Sequence, residues 1–185
     1  MARVTARALL LVLLAAAAGC GEDPAPQVDA SPEPTEAIRW GTTEFADLRV
    51  TLPETFGEKW VRHETEVHYL GPSIDGFQVQ LQVLWFPSDR PYSEWVESRV
   101  SKVRDGPFQE LLGEGTGRVG PWPAHTVVFR WIDNRKVPIT NIDYYFAGGG
   151  HLGMLRGVVP TSHFLAYRPV FDAIAAGVAY ADPDR

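Results

Sequence analysis

The chain has 185 residues, 45% of them hydrophobic and 11% aromatic, with six Trp and a formal charge of −6. That is enough apolar bulk for a sizeable core, and the acidic balance, with no basic run, excludes a positive face for nucleic acid and electrostatic docking on anionic lipid. The single cysteine, Cys20, excludes an intramolecular disulfide, so the fold must be held by its core alone.

Arg3 and Arg7 open the chain, residues 8–18 form an unbroken apolar run, and Gly19 and Cys20 follow. Basic, then apolar, then small is the layout of a secretory signal. The run is 11 residues long, and a membrane-spanning helix needs about 20. An ordinary secretory signal with a chance cysteine and a short uncleaved anchor are the two other readings of this segment. Ala17-Ala18-Gly19-Cys20 resembles a bacterial lipobox. The resemblance implies that residues 1–19 are a lipoprotein signal peptide. It also implies that Cys20 becomes the lipidated N-terminus and ties the protein to a membrane on its extracytoplasmic side. Each buried methylene of such an acyl chain contributes about 0.8 kcal/mol, so a multiply acylated cysteine holds firmly. Gly21, in place of Asp, favours the outer membrane in a diderm cell.

Residues 20–37 hold Pro24, Pro26, Pro32 and Pro34 among small and acidic residues. So little apolar bulk does not offset the entropy of ordering, and the segment is expected to be a disordered, solvated spacer. Residues 38–185 remain as one domain of about 150 residues, an ordinary single-domain size. Loss of Arg3 and Arg7 takes 17 basic side chains to 15 against 23 acidic ones, a formal charge of −8.

Within the domain, residues 45–52 suggest a first strand and 60–69 a second, with a turn at Gly71-Pro72. Phe77, Val79, Leu81, Val83 and Trp85 alternate with Gln78, Gln80, Gln82 and Leu84, which predicts a strand with one buried face. Ser88-Asp89 offers a helix cap, and Tyr92, Val96, Val100 and Val103 follow at helical spacing up to Gly106-Pro107. Residues 110–120 are glycine-rich and are expected to be a loop or a short strand. Strands are expected at 124–131, 139–146 and 151–159, joined by turns at 133–136 and at Gly148-Gly149-Gly150. A last helix within 162–179, starting close to Pro169, carries Phe171, Ile174, Ala175 and Val178 on its apolar stripe. Strands with short turns and two helices predict an α+β domain, an antiparallel sheet flanked by helices.

That order resembles the PsbP/Mog1-like fold, and more narrowly small bacterial lipoproteins with PsbP-like or DcrB-like domains. The residues that carry the resemblance are the opening stretch from Phe45 to the Leu52-Pro53 pair, the helix after Trp85-Phe86-Pro87, and the closing segment with Phe164, Pro169, Phe171 and Ile174. The Trp that commonly follows Leu-Pro in such domains is displaced, since Trp60 lies seven residues after Pro53. The resemblance implies a binding or assembly accessory and supplies no catalytic residue.

The residues themselves contain little chemistry. Of the five His, His63 and His68 would fall on opposite faces of one strand, and His125, His151 and His163 share no metal-ligand spacing. No Gly-x-Ser-x-Gly is present, and the glycine triplet before His151 lacks the Gly-Lys-Ser/Thr of a phosphate loop. Glu64 and Glu66 would share a strand face, as a solvated pair. Trp122, held between Pro121 and Pro123, is the candidate partner-binding residue, because Trp is enriched at interface hot spots; core burial is the other reading. One of Tyr144 and Tyr145 should be exposed. The expectation is a non-enzymatic, lipid-anchored envelope protein with a protein partner, no metal and no cofactor. A small-ligand carrier is the alternative, and a hydrolase or metal enzyme ranks last.

Overall fold

The computed structural model describes residues 38–182. The chain divides into two units, Met1–Glu36 and Ala37–Arg185, and the second holds all the described elements. Cys20, the signal peptide and the spacer lie outside the described residues. The elements are β1 (Trp40–Phe45), β2 (Leu48–Pro53), β3 (Glu58–His63), β4 (Glu66–Ile74), β5 (Phe77–Pro87), α1 (Tyr92–Arg104), β6 (Gln109–Val119), β7 (Trp122–Ile132), β8 (Pro138–Gly148), β9 (His151–Pro160), α2 (Phe164–Ala176) and β10 (Ala179–Tyr180). They form an α+β fold. A seven-stranded antiparallel sheet runs β3-β4-β5-β9-β8-β7-β6, and a small sheet runs β1-β2-β10. No helix among the described residues is long and apolar enough to cross a membrane.

The large sheet is covered on both faces. On one, Phe171, Ile174 and Ala175 of α2 join Leu48, Val50 and Leu52 of β2 over Leu81, Val83, Trp85, Ile142 and Leu155. On the other, Trp95, Val96, Val100 and Val103 of α1 pack on Val127, Phe129, Tyr145, Leu152 and Met154. Trp95 meets Tyr145 edge-on, with ring centroids 5.3 Å apart, a geometry the ring quadrupoles favour. The Tyr92 hydroxyl ties the start of α1 to the sheet, donating to the Tyr145 carbonyl at 2.8 Å and accepting from the His125 amide at 3.1 Å.

Several expected boundaries move, each for a local reason. The first expected strand is the second half of a hairpin, β1–β2, which turns at Ala46 with a positive φ of 51°. Residues 60–69 are likewise a hairpin, β3–β4, turning at Glu64-Thr65, so Glu64 shares no strand face with Glu66. Gly71 and Pro72 lie within β4 at a register shift, a bulge position that tolerates proline, and the turn comes at Asp75-Gly76. The Ser88 hydroxyl accepts from the Arg90 amide instead of capping α1, whose N-cap is Pro91. Pro169 is inside α2, on its exposed side, and the helix begins five residues earlier. Both Tyr144 and Tyr145 are buried, because each face of β8 has its own covering layer.

The glycine-rich stretch expected as a loop or short strand is the 11-residue strand β6. Its glycines have a positional logic. Gly113, Gly115 and Gly117 pair with Val128, Thr126 and Ala124, and Val128 and Ala124 belong to the core on the α2 side. Glu114, on the opposite face, bonds to Arg104 of α1 at 3.0 Å. The α2 face of β6 is therefore bare of side chains along these three positions.

Gly157 lets α2 approach the sheet closely, since a Cβ there would lie 2.5 Å from Cγ of Phe171. Gly157→Val should overpack this contact and lower stability by about 1–3 kcal/mol, measured by thermal unfolding. Adding Phe171→Ala should make the valine less costly than it is in the parent background, because the clashing ring is gone.

Candidate functional site

The sequence-predicted residues are scattered. His68 bonds to Glu66 at 2.7 Å and meets Trp60 edge-on on the β3–β4 hairpin. His125 reaches Glu114 at 3.2 Å across β6–β7. His151 stacks on Trp85 with centroids 4.9 Å apart, and His163 lies beside Ser162. His63 ends β3. Among the described residues, no three His, Cys, Asp or Glu side chains converge as metal ligands.

Trp122 begins β7 and is turned inward, only 8% exposed. It stacks on Phe146 at 5.5 Å, approaches Trp85 at 5.7 Å and meets Tyr180 edge-on at 4.9 Å. The Gly148–Gly150 hairpin makes this possible, since a Cβ on Gly148 would lie 2.1 Å from the indole nitrogen of Trp122. The two prolines thus hold a core aromatic at the β6–β7 turn, and Trp122 has little surface to offer a partner. The indole nitrogen of Trp85, beneath His151, has no hydrogen-bond partner among the described residues.

A buried polar network lies beneath α1. Asp143 on β8, fully buried, accepts from Arg156 on β9 through Nε and Nη2, both at 2.6 Å, and from the Tyr145 hydroxyl at 2.6 Å. Two parallel bonds from a planar guanidinium fix the register of β8 against β9 and neutralise the carboxylate. The Arg156 guanidinium also sits 5.4 Å from the Phe129 ring centroid. Burial works against its charge, but Asp143 outweighs burial and holds its pKa above the usual value. Burial first, then the Asp143 carboxylate, pushes the Tyr145 phenol upward; burial and the bond to Asp172 do the same for Tyr144. All three bonds to Asp143 come from within the domain, from Arg156 and Tyr145, so this is a structural network with no group left over for acid–base work.

The surface feature that stands out is a cleft of about 420 Å³ at one end of the large sheet. Phe108, Glu110, Arg130, Trp131, Ile132 and Pro138 contribute to its walls. Phe108 is 85% exposed and Ile132 64%. The walls are held in place: Trp131 donates from Nε1 to Asn141 at 3.0 Å, and Arg130 donates to Glu110 through Nε and Nη2. The rim charges cancel each other, which leaves an apolar recess with two large side chains standing in water. Sequence reasoning missed both. Phe108 follows Gly106-Pro107 and belongs to no periodic run, and Ile132 falls one residue past the expected end of its strand. An aromatic just after Gly-Pro, outside any amphipathic pattern, is the signal that could have marked Phe108.

Removing one partner of a buried ion pair leaves an uncompensated charge. Asp143→Asn should therefore cost about 3–5 kcal/mol, read from urea unfolding. The two phenols give a pH dependence. Their folded-state pKa values lie above the ordinary 10.0, so their contribution is complete below pH about 10 and is lost as the pH rises beyond it. The unfolding midpoint should fall with pH in that range, and Tyr145→Phe should make the fall shallower.

No family model matches the chain, and no curated protein matches it in sequence. Solved structures do match in shape. The cyanobacterial PsbP protein CyanoP of Synechocystis sp. PCC 6803 aligns with a TM-score of 0.55 and 11% identity, over 77% of this chain and 92% of CyanoP. LpqN of Mycobacterium tuberculosis, described as involved in cell envelope biogenesis, aligns with a TM-score of 0.54 and 11% identity, over 80% and 86%. A Pseudomonas aeruginosa protein of unknown function, PA94, a suggested regulator, aligns with a TM-score of 0.54 and 7% identity, over 77% and 98%. At these identities the likeness is one of fold, and the fold of this chain is PsbP-like.

Proposed function

We propose that this chain is a non-catalytic accessory module of the cell envelope, anchored through lipid on Cys20, that binds a protein partner. The observation that carries this reading is the apolar cleft with Phe108 and Ile132 exposed at its mouth. A soluble domain keeps such side chains in water at a cost, and exposed aromatic and aliphatic bulk beside a recess is the usual form of a docking site. The recess also falls within the size range of small-ligand sites, which favours a ligand carrier as the second reading. Phe108 and Ile132 protrude at its mouth, which suits a partner surface better than an enclosed ligand. LpqN's part in envelope biogenesis adds weight by analogy of fold only.

Two experiments test the parts separately. Cys20→Ala should move the protein from the membrane to the soluble fraction in detergent-free fractionation; a mutant that stays with the membrane removes the anchor. A photoreactive residue in place of Phe108 should crosslink one protein reproducibly in intact cells, and one in place of the buried Trp122 should not. Recovery of no specific protein from Phe108 counts against the binding module and turns the question to small ligands.

A further inference from the structure

The two edges of the large sheet differ. β3 carries Glu58, Lys59, Arg62 and His63 among its six residues, the dense charge with which natural proteins discourage strand addition. β6 is 11 residues long and has three ionisable side chains, all engaged within the domain. Glu110 bonds to Arg130, Glu114 to Arg104 and His125, and Arg118 donates to the Pro121 carbonyl. Among the described residues, no backbone bond other than those to β7 involves residues 110–118. After a register shift between Leu111 and Gly113 the strand is regular to Val119. Before Val119, which enters the core, the α2 face of this stretch carries only Gly113, Gly115 and Gly117, and a Cβ on Gly113 would meet nothing within 4 Å. The cleft begins where β6 begins, at Gln109 and Phe108.

We propose that the outer edge of β6 accepts an extended segment of a partner polypeptide as an added strand, with side chains over the glycine positions and a large apolar residue in the Phe108–Ile132 cleft. The inference rests on the reading of this chain as a protein-binding module and assigns that module its surface. A row of unpaired amides and carbonyls requires alternating donors and acceptors, which another backbone supplies and a lipid tail does not. In this mode main-chain bonds supply affinity and side-chain pockets supply selectivity. The neutralised edge suits a segment of low charge. A second copy fits less well. Antiparallel pairing of 113–119 with itself centres on Thr116 and leaves each Phe108 beyond the other strand's end at Val119, so both clefts stay open.

The test is selection of phage-displayed random dodecapeptides on the purified full chain, followed by hydrogen exchange with the synthesised binders. Expected are peptides with one fixed large apolar residue that slow exchange of amides within 113–119. Gly113→Lys places a flexible charge on the open face of the edge and should weaken binding by about tenfold or more. Phe108→Ser, on an exposed side chain, should weaken it as well. Gly41→Lys on β1, where a Cβ makes only ordinary contact with Glu54, should leave binding unchanged. Near-UV circular dichroism confirms that each variant is folded. Binders that protect another element, or that ignore both Gly113→Lys and Phe108→Ser, overturn the edge proposal and leave the binding module standing. A library without binders, while Phe108 still crosslinks one protein in cells, also removes the edge alone; with no crosslink either, both fall. Concentration-dependent dimers that protect β6 identify a second copy as the occupant and overturn the proposal.

Discussion

Burial of β8 and β9 on both faces is the constraint on which the rest of the structure depends. Tyr144 and Tyr145, adjacent in sequence, are both inside, and so are Leu155 and Met154 across from them. A strand in this position needs a layer above and a layer below, since backbone alternation sends consecutive side chains to opposite sides. One layer is α1. The other is α2 together with the β1-β2-β10 sheet, whose Leu48, Val50 and Leu52 share the core with Phe171, Ile174 and Ala175 of α2. β10 pairs with β2 and thereby joins the end of the chain to the opening hairpin. The Asp143–Arg156–Tyr145 network belongs to the same constraint. It is the polar content of a two-sided core, and it is complete, with every Asp143 bond directed to a neighbour in the sheet.

Two covering layers also dictate where anything else can bind. The faces of the central strands are occupied, which leaves the strand ends and the sheet edges. Trp122 illustrates the first half of this. It sits at the β6–β7 turn, where a loop residue would be free to face a partner, yet the space opened by Gly148 draws it in against Trp85 and Phe146. Burying a Trp releases more apolar area from water than leaving it as a surface anchor, so a turn next to an accommodating glycine becomes part of the core. Phe108 illustrates the second half. It stands at the mouth of the end cleft, beyond the last buried residue of α1, Val103.

The parts of the fold legible in the sequence are those in which one physical signal acts alone. The alternation of β5 from Phe77 to Trp85, the spacing of Val96, Val100 and Val103, and the buried stripe Phe171, Ile174, Ala175 all appear as expected. The turns at Asp133–Lys136 and Gly148–Gly150 are marked by their residue types. What was illegible arises where a turn lacks turn residues or a strand lacks strand residues. Ala46 adopts a positive φ without the usual glycine or asparagine, so nothing announced the β1–β2 hairpin. β6 has glycine at alternate positions from 113 to 117, which reads as a loop until the facing strand is known. Trp95 escaped the helical stripe because it lies one residue before Val96 and widens the buried face. For the candidate site the loss was greater: Trp122 was singled out by local rigidity, and rigidity says nothing of which way a ring points.

The glycines of β6 join the two themes. A strand of such composition is a poor strand by intrinsic preference, since glycine loses the most backbone freedom on ordering and supplies no side chain to pack. It forms because β7 supplies a long, regular partner and because Val119 and Leu111 pin its two ends into the two cores. Between those pins the strand is held by backbone bonds to β7 and by the Glu114 carboxylate, which bonds to Arg104 and His125. A sheet edge that needs only stability would carry β-branched residues here, and one that needs only protection would carry lysines, as β3 does in part. Between Leu111 and Val119, β6 has no lysine and a single β-branched residue, Thr116, and it keeps its few charges folded back into the domain. An edge held open in this way, beginning at the recess where Phe108 is exposed, is physically suited to receive a backbone from outside.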